Sequence, residues 1–256
     1  MQRIGVLGVG ELTEKVVIGL RRSGFEGEIS LSPRNKERAT ALADAQACTV
    51  MDSNQGVADR SDVLILGVRP DAVESVASEI TLRPDQTLVS LVAGMQTAEL
   101  KRLFRDVQVT RAMLSYAAQI NQSTVVLYPA STVAEPVLAR VGTLVVLNTE
   151  AQFELATVAA CMNGWFYFFL NDLQQWFVSN GLEPEQALEL VTSNMQDCLA
   201  TIQNNPGQSL ESIGNAIATP GTYTAAGLDV LKQRRSGEIW SAASEDVLKR
   251  LTQADE

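Results

Sequence analysis

The sequence predicts an α/β domain with a largely parallel sheet, followed by an all-α domain. Three observations support this prediction: an apolar run that enters a glycine turn at the N-terminus, an alternation of strand and helix patterns up to residue 150, and the loss of strand patterns beyond it. Alternating strands and helices are typical of a parallel sheet covered on both faces. We therefore expect a Rossmann-type domain at 1–150 and an all-α domain at 151–256.

The individual elements follow from runs of β-branched residues and from helical spacing of apolar residues. The predicted strands are 3–7, 28–31, 48–50, 63–66, 87–91, 107–113, 124–128 and 143–146. The predicted helices of the first domain are 12–22, 36–43, 72–80, 97–104 and 133–141. Those of the second domain are 151–179, 184–203, 222–233 and 239–251.

Composition and charge exclude several classes of function. The 256 residues carry a formal net charge of −10, which argues against a nucleic acid or an anionic membrane as partner. The longest bulky apolar run, 165–170, is interrupted by Asn171 and Asp172 and falls short of a membrane span. The first strand begins by residue 3, which leaves no room for a signal peptide. We expect a cytoplasmic protein.

The chemistry available to the chain is also limited. The sequence has no histidine, which removes histidine acid–base catalysis and the usual zinc sites, so we expect no metal. Its three cysteines lie far apart, as expected for buried thiols in a reducing compartment. Catalysis must therefore depend on a cofactor, hydroxyls, carboxylates or backbone dipoles.

The N-terminal glycine turn has the features of a dinucleotide site. The apolar run 4–7 leads into Gly8 and Gly10 and then into a helical pattern. Such glycines permit the tight turn and the close approach of a pyrophosphate to the helix N-terminus. The third position of this motif is Thr13 instead of Gly or Ala, which predicts a slightly wider spacing of helix and strand. The residues predicted to contact the cofactor here are Gly8, Gly10, Glu11 and Leu12.

The segment after the second predicted strand favours NADP(H) over NAD(H). NAD sites place an acidic residue at this point, where it accepts hydrogen bonds from the ribose. Residues 32–36 instead read Ser-Pro-Arg-Asn-Lys, and Arg34 has the geometry for a bidentate pair with the adenosine 2′-phosphate. The residues predicted to bind the cofactor here are Ser32, Arg34, Asn35 and Lys36.

The helix predicted at 151–179 is too apolar for one small domain to cover. It contains the run Trp-Phe-Tyr-Phe-Phe-Leu at 165–170, together with Trp176 and Phe177. A helix that is apolar on most faces must be buried on most faces. We therefore expect a second subunit to pack on it, forming a homodimer through the C-terminal helices.

Four segments resemble the pyrroline-5-carboxylate reductase family, and they extend over nearly the full chain. They are the opening Ile-Gly-Val-Leu-Gly-Val-Gly at 4–10, Gly-Val-Arg-Pro at 67–70, Ser-Leu-Val-Ala-Gly-Met at 90–95, and Thr-Pro-Gly-Thr-Tyr-Thr-Ala-Ala-Gly-Leu at 219–228. The resemblance implies a dimer of interlocked C-terminal helices and NADPH-dependent reduction of a cyclic imine of the pyrroline-carboxylate type.

The resemblance also implies roles for individual residues. Thr224 aligns with the threonine that bonds the substrate nitrogen. The hydroxyl of Thr219 and the backbone N–H groups of Gly221 and Thr222 would bind a substrate carboxylate. The further cofactor-binding residues that it implies are Val68, Pro70, Ala93 and Gly94. The residues that could add substrate contacts through phenolic groups are Tyr116, Tyr167 and Tyr223.

Two segments depart from the family pattern. The family's Met-Pro-Asn-Thr-Pro segment reads Met-Leu-Ser-Tyr-Ala at 113–117, and its Ser-Gly-Pro-Ala-Tyr segment reads Asn-Gly-Trp-Phe-Tyr at 163–167. The substrate therefore need not be pyrroline-5-carboxylate. Two alternatives stay open: a catalytically silent NADP-binding dimeric scaffold or sensor, and a deazaflavin-dependent oxidoreductase on the same fold.

Overall fold

The computed structural model describes residues 2–105 and 107–253, and eight strands of these residues form one sheet. The strands are β1 (Ile4–Leu7), β2 (Ile29–Leu31), β3 (Thr49–Val50), β4 (Val63–Leu66), β5 (Thr87–Ser90), β6 (Gln108–Met113), β7 (Ser123–Tyr128) and β8 (Gly142–Val146). Their order is β3-β2-β1-β4-β5-β6-β7-β8. Neighbouring strands are parallel except for the β6–β7 pair. This confirms the predicted Rossmann-type sheet, including its two additional strands.

The helices fall into two groups along the chain. Those that connect the strands are α1 (Glu11–Arg22), α2 (Lys36–Gln46), α3 (Asn54–Asp59), α4 (Val73–Glu79), α5 (Thr97–Phe104) and α6 (Glu135–Leu138). Those that follow the sheet are α7 (Glu150–Ser179), α8 (Pro184–Asn204), α9 (Leu210–Ile217), α10 (Tyr223–Gln233) and α11 (Ser236–Thr252). The change from sheet to helices after β8 confirms the predicted fold class.

Three local predictions of secondary structure were wrong. Helices α3 and α9 are not among the predicted elements, although Ser53 and Ser209 cap their first turns with side-chain hydrogen bonds. The helix predicted at 133–141 is a single α-helical turn, α6, that tightens into the 3₁₀ turn Ala139–Val141. The helical segment ends at Val141, and β8 begins at the next residue, Gly142.

The core lies on both faces of the sheet, as buried parallel strands require. Val6 of β1 packs with α1 residues such as Val17 on one face. Leu7, the next residue along, packs with Val73 of α4 and Leu100 of α5 on the other face. Because successive side chains of a strand point to opposite faces, a short apolar run serves both layers at once.

A buried charged cluster holds the start of α7 against the sheet. Arg111 on β6 has no solvent exposure, and its guanidinium lies 2.9 Å from Glu150 and 2.5 Å from Glu154. The same guanidinium lies 4.4 Å from the centre of the Phe153 ring. Glu150 also accepts hydrogen bonds from the backbone N–H and hydroxyl of Thr97, at 2.7 and 2.9 Å. Burial alone would raise the pKa of Glu150, but these donors lower it overall.

The chain divides into two compact units that differ in how well they bury apolar side chains. The first runs to Ala160 and includes the end of α11 from Leu248, and the second is Cys161–Val247. In the second unit, Trp240 packs on Trp165, Phe166 and Phe169, with ring centres 5.9 to 6.3 Å apart. Many other large apolar side chains of this unit are exposed within the single chain, among them Tyr167, Phe168, Trp176, Leu199, Leu210 and Ile239.

One helix of the described residues, α7, is long and apolar enough to cross a membrane by length and composition alone. Its most apolar window has a mean hydropathy of 1.2 and is 22% buried within the chain. The interruption at Asn171 and Asp172 therefore does not lower the hydropathy of the helix as far as the sequence analysis expected. Core helices of soluble proteins also reach this length and hydropathy.

Candidate functional site

The carboxyl ends of β1 and β4 form the point at which the strand order reverses. β1 lies between β2 and β4, and the chain leaves it at Gly8, while it leaves β4 at Gly67. In open α/β sheets, ligands bind in the crevice outside the carboxyl ends at this switch point. The predicted glycine motif therefore lies where this architecture places a cofactor.

The glycine turn brings three chain segments into close contact. Gly8 has a φ of +92°, and a Cβ added there would lie 2.5 Å from Cγ1 of Val68 and 2.8 Å from the carbonyl oxygen of Gly67. The backbone N–H of Gly8 donates a hydrogen bond to Oγ of Ser32 at 2.9 Å. Only glycine combines this φ with this proximity, so the turn requires the residue that the sequence provides.

Thr13 occupies the third position of the motif and is held on both sides. Its hydroxyl donates to the carbonyl of Gly8 at 2.9 Å and accepts from the N–H of Gly10 at 2.9 Å. Its methyl group lies over Gly67, where an added Cβ would be 2.1 Å away. The absence of a side chain at Gly67 therefore provides space for the Thr13 methyl group. The sequence had instead predicted that a wider spacing of helix and strand would accommodate this threonine.

The N-terminus of α1 is open towards the crevice. Gly10 is the N-cap and has no side chain to accept from the first turn. Glu11 is exposed and Leu12 is half-buried at the beginning of this turn. Free N–H groups at a helix N-terminus are a binding site for anions, because the helix dipole adds to their hydrogen-bonding capacity.

The residues after β2 take different roles. Ser32 is buried and its hydroxyl accepts a hydrogen bond from the N–H of Gly8, so it holds the glycine turn, and its contact with the cofactor stays a prediction. Asn35 caps α2 through a hydrogen bond from Arg38 and donates to the carbonyl of Val9, both at 3.4 Å. Arg34 and Lys36 are exposed. Among the described residues, neither of these two cations takes part in an ion pair.

Two cavities lie along this edge of the sheet and share Arg34. The smaller, about 520 Å³, is bordered by the glycine turn and by residues 34–37. The larger, about 750 Å³, lies beyond the ends of β2, β3 and β4, and Val68 lines it. Sequence reasoning missed the polar residues of the larger cavity that directly follow β3 and β4, which are Asp52, Ser53, Asn54, Arg69 and Asp71. Their position after predicted parallel strands was the available signal.

The other predicted cofactor residues follow β4 and β5. Pro70 begins the 3₁₀ turn Pro70–Ala72 and is exposed. Ala93 is exposed and Gly94, with a φ of +70°, completes the turn after β5. Because β4 and β5 are parallel neighbours, their following turns lie at the same edge of the sheet as the glycine motif.

Tyr116 meets Glu11 although 105 residues separate them. The Tyr116 hydroxyl donates to Oε2 of Glu11 at 2.8 Å, and both side chains are exposed. This hydrogen bond raises the pKa of the Tyr116 hydroxyl. A residue predicted to bind substrate and one predicted to bind cofactor are thus brought together beside the N-terminus of α1.

The remaining predicted substrate residues lie in the second unit. Thr222 caps α10: its hydroxyl accepts from the N–H of Ala225 at 3.1 Å and donates to the carbonyl of Thr219 at 2.8 Å. Thr224 and Tyr223 line a largely apolar cavity of about 590 Å³ between α9 and α10. The residues of this set that are exposed within the single chain are Tyr167, Thr219, Gly221, Tyr223 and Thr224.

Two family models match different parts of the chain. Residues 3–94 match the model described as "NADP oxidoreductase coenzyme F420-dependent", and residues 150–254 match "Pyrroline-5-carboxylate reductase dimerisation". The pyrroline-5-carboxylate reductase of Haemophilus influenzae is 25% identical over 96% of this chain and 95% of its own. The 1-pyrroline-5-carboxylate reductase of Streptococcus pyogenes superimposes with a TM-score of 0.89 and 26% identity, over 98% of both chains.

These similarities indicate the pyrroline-5-carboxylate reductase family. A pyrroline carboxylate reductase of Plasmodium falciparum, solved with NADP bound, shares the fold at a TM-score of 0.87 and 18% identity, over 98% of this chain and 97% of its own. The similarities confirm the resemblance inferred from the four sequence segments. The described residues contain no group of three or more His, Cys, Asp or Glu residues that could hold a metal ion.

Proposed function

We propose that this family member is an NADPH-dependent reductase of a C=N bond, with a cyclic imine of the pyrroline-carboxylate type as substrate. The observation that carries the proposal is the pair of exposed cations, Arg34 and Lys36, beside an open helix N-terminus at the switch point. Neither cation forms an ion pair within the residues that the structure describes. No carboxylate occurs in residues 32–36, where an NAD site requires one. The Haemophilus influenzae and Streptococcus pyogenes relatives, both named as reductases of this substrate, support the reaction class.

The cofactor fits the residues present. A pyrophosphate meets the uncapped N-terminus of α1, and Gly8 and Gly10 allow the backbone to approach it. Arg34 lines both cavities, and its guanidinium would hold a 2′-phosphate. When bound, NADPH supplies the hydride that reduces the C=N carbon.

The chain's own residues have a modest chemical task. An iminium substrate already carries its proton, so the absence of histidine is no obstacle. The hydroxyl oxygen of Thr224 would accept a hydrogen bond from the iminium N–H of the substrate. The hydroxyl of Thr219 and the N–H group of Gly221, before the start of α10, would bind the carboxylate. The N–H of Thr222, also predicted for this role, donates to the carbonyl of Thr219 at 3.1 Å in the free chain. These contacts position the substrate, which is the main contribution that hydride transfer requires of a protein.

The active molecule is a cytoplasmic homodimer that associates through the C-terminal helices. The exposed apolar side chains of residues 161–247 support this, since a monomer would leave them in water. The match of residues 150–254 to the dimerisation model supports it independently. Sedimentation velocity at micromolar concentration should give twice the chain mass of 27.7 kDa.

A calorimetric titration with NADPH and then with NADH tests the proposal first. We expect tight binding of NADPH and weak binding of NADH, followed by oxidation of NADPH when pyrroline-5-carboxylate or a related cyclic imine is added. Binding of neither nucleotide would refute a nicotinamide reductase. Equal binding of both would refute the role of Arg34 and leave the reaction class standing.

Two other functions have specific support. The rewritten segments at 113–117 and 163–167 favour a catalytically silent NADP-binding scaffold, which would bind NADPH and turn over no member of an imine panel. The model that matches residues 3–94 carries coenzyme F420 in its description, which favours a deazaflavin-dependent oxidoreductase. That protein would bind reduced deazaflavin in the same titration and use it to reduce a substrate.

A further inference from the structure

The N-terminus of α1 carries a carboxylate where an anionic cofactor is expected. Glu11 is the first residue of the helix, adjacent to the N-cap Gly10, and it is exposed. A negative charge at this position interacts favourably with the helix dipole in the free protein. The same charge repels a pyrophosphate that binds to the same helix end, so Glu11 and the cofactor compete for one electrostatic position.

Tyr116 forms a hydrogen bond to one oxygen of the Glu11 carboxylate. The hydroxyl lies 2.8 Å from Oε2 of Glu11, within hydrogen-bond distance. Glu14, the other acid of the first turn, is already paired with Arg38 at 2.7 Å. Within the described residues, Tyr116 is the side chain that forms a hydrogen bond to the Glu11 carboxylate.

The segment that carries Tyr116 is firmly attached to α1. The 3₁₀ turn Tyr116–Ile120 packs so closely on the helix that a Cβ added to Gly19 would lie 2.0 Å from the carbonyl oxygen of Ala118. Asn121 follows this turn and donates hydrogen bonds to the carbonyls of Gly19 and Arg140, both at 2.7 Å. Tyr116 thus extends from a fixed base, and its hydroxyl can retain the carboxylate on one side of the helix end.

We propose that Glu11 lowers the affinity of the phosphate site for its dinucleotide and that Tyr116 limits this effect by holding the carboxylate aside. The inference rests on the proposed function, because it concerns the same cofactor site. The Glu11 carboxylate weakens dinucleotide binding by charge repulsion, and the hydrogen bond that it accepts from Tyr116 restores part of the lost affinity. Both residues are positioning groups for the cofactor, and neither takes part in hydride transfer.

Calorimetric titration of four proteins with NADPH tests the proposal: the natural chain, Glu11→Gln, Tyr116→Phe and the double variant. Glu11→Gln should tighten binding by about five- to tenfold at low ionic strength, and by less than about twofold at roughly 1 M salt, where charge repulsion is screened. Tyr116→Phe should weaken binding by about threefold when Glu11 is present and should have no effect in the Glu11→Gln background.

Glu26→Gln is the matched control, since it removes the same charge from an exposed residue of the loop before β2, at the opposite edge of the sheet. Its affinity for NADPH should equal that of the natural chain. Unchanged or weaker binding by Glu11→Gln would overturn the proposal, and so would an effect of Tyr116→Phe that persists without Glu11. If the natural chain binds no NADPH, the proposed function fails as well, so the two failures are distinguishable.

Discussion

Replacing Arg34 with alanine should reduce the preference for NADPH over NADH, and the surroundings of Arg34 indicate how large the reduction should be. Arg34 is exposed, lines both cavities at the switch point and has no ion-pair partner among the described residues. Its removal therefore breaks no internal contact of this kind. Any change in affinity for a nucleotide should then reflect the loss of a contact with the nucleotide itself.

The expected loss follows from the strength of hydrogen bonds to charged groups. Such bonds contribute about 1.5 to 3 kcal/mol, and a solvent-exposed pair lies near the lower end of that range. A loss of about 1.5 kcal/mol raises the Kd for NADPH roughly tenfold. Lys36 binds as a point charge without the bidentate geometry, so Lys36→Ala should raise that Kd by only about threefold.

Calorimetry with both nucleotides measures this preference directly. Arg34→Ala should weaken NADPH binding and leave the Kd for NADH within about a factor of two, because NADH lacks the 2′-phosphate. Arg22→Ala serves as the control, since it removes a cation from the other end of α1. An equal loss for NADPH and NADH would show that Arg34 contacts a part common to both, and our assignment would be refuted.

Four further predictions concern catalysis, stability, pH dependence and packing. Thr224→Ala should lower kcat/KM for the imine by about a hundredfold while the Kd for NADPH is unchanged, and Thr224→Ser should recover most of the rate. Arg111→Met should lower the free energy of unfolding by about 3 to 5 kcal/mol in urea at fixed protein concentration, since it leaves buried carboxylates without their cation. The pKa of Glu150 is lowered in the fold, so its contribution to stability should be complete above the ordinary pKa of a glutamate and should be lost as the pH falls from there through the lowered pKa of the folded state, as acid unfolding curves can show. Gly67→Ala should destabilise the chain, because the new methyl group meets Thr13, and Thr13→Ala in the same chain should restore most of the lost stability in thermal unfolding. A double variant no more stable than Gly67→Ala alone would show that this clash is not the cause.

The sheet was predictable because each strand has its own local signal. β4 and α5 have the bounds predicted from the sequence, since an apolar run and an amphipathic pattern each end at clear turn residues. The largely parallel character of the sheet also followed from the alternation of strands and helices, whereas the order of the strands is known only from the structure. The short helices α3 and α9 were missed because a single capping serine gives a weaker signal than a full amphipathic repeat.

The contacts of the candidate site were less predictable than its location. The glycine motif located the crevice, but only the structure shows that Ser32 supports the turn and that Glu11 meets Tyr116. Such pairs join residues distant in sequence, and no local pattern encodes them. The buried ion pairs of Arg111 did have a local signal, because Arg111 is a cation within the otherwise apolar end of a strand. They are absent from the predictions made above.

The contact between Thr13 and Gly67 makes the order of evolutionary change matter. A lineage that first shortens Thr13 opens a small space, and a later alanine at position 67 can fill it. A lineage that changes Gly67 first must pass through a chain in which a methyl carbon would lie 2.1 Å from Thr13 Cγ2. The two routes share an endpoint but differ in the stability of their intermediate, so selection can follow only one of them readily. Thr13 and Gly67 should therefore change together among related chains, with the replacement at position 13 arising first.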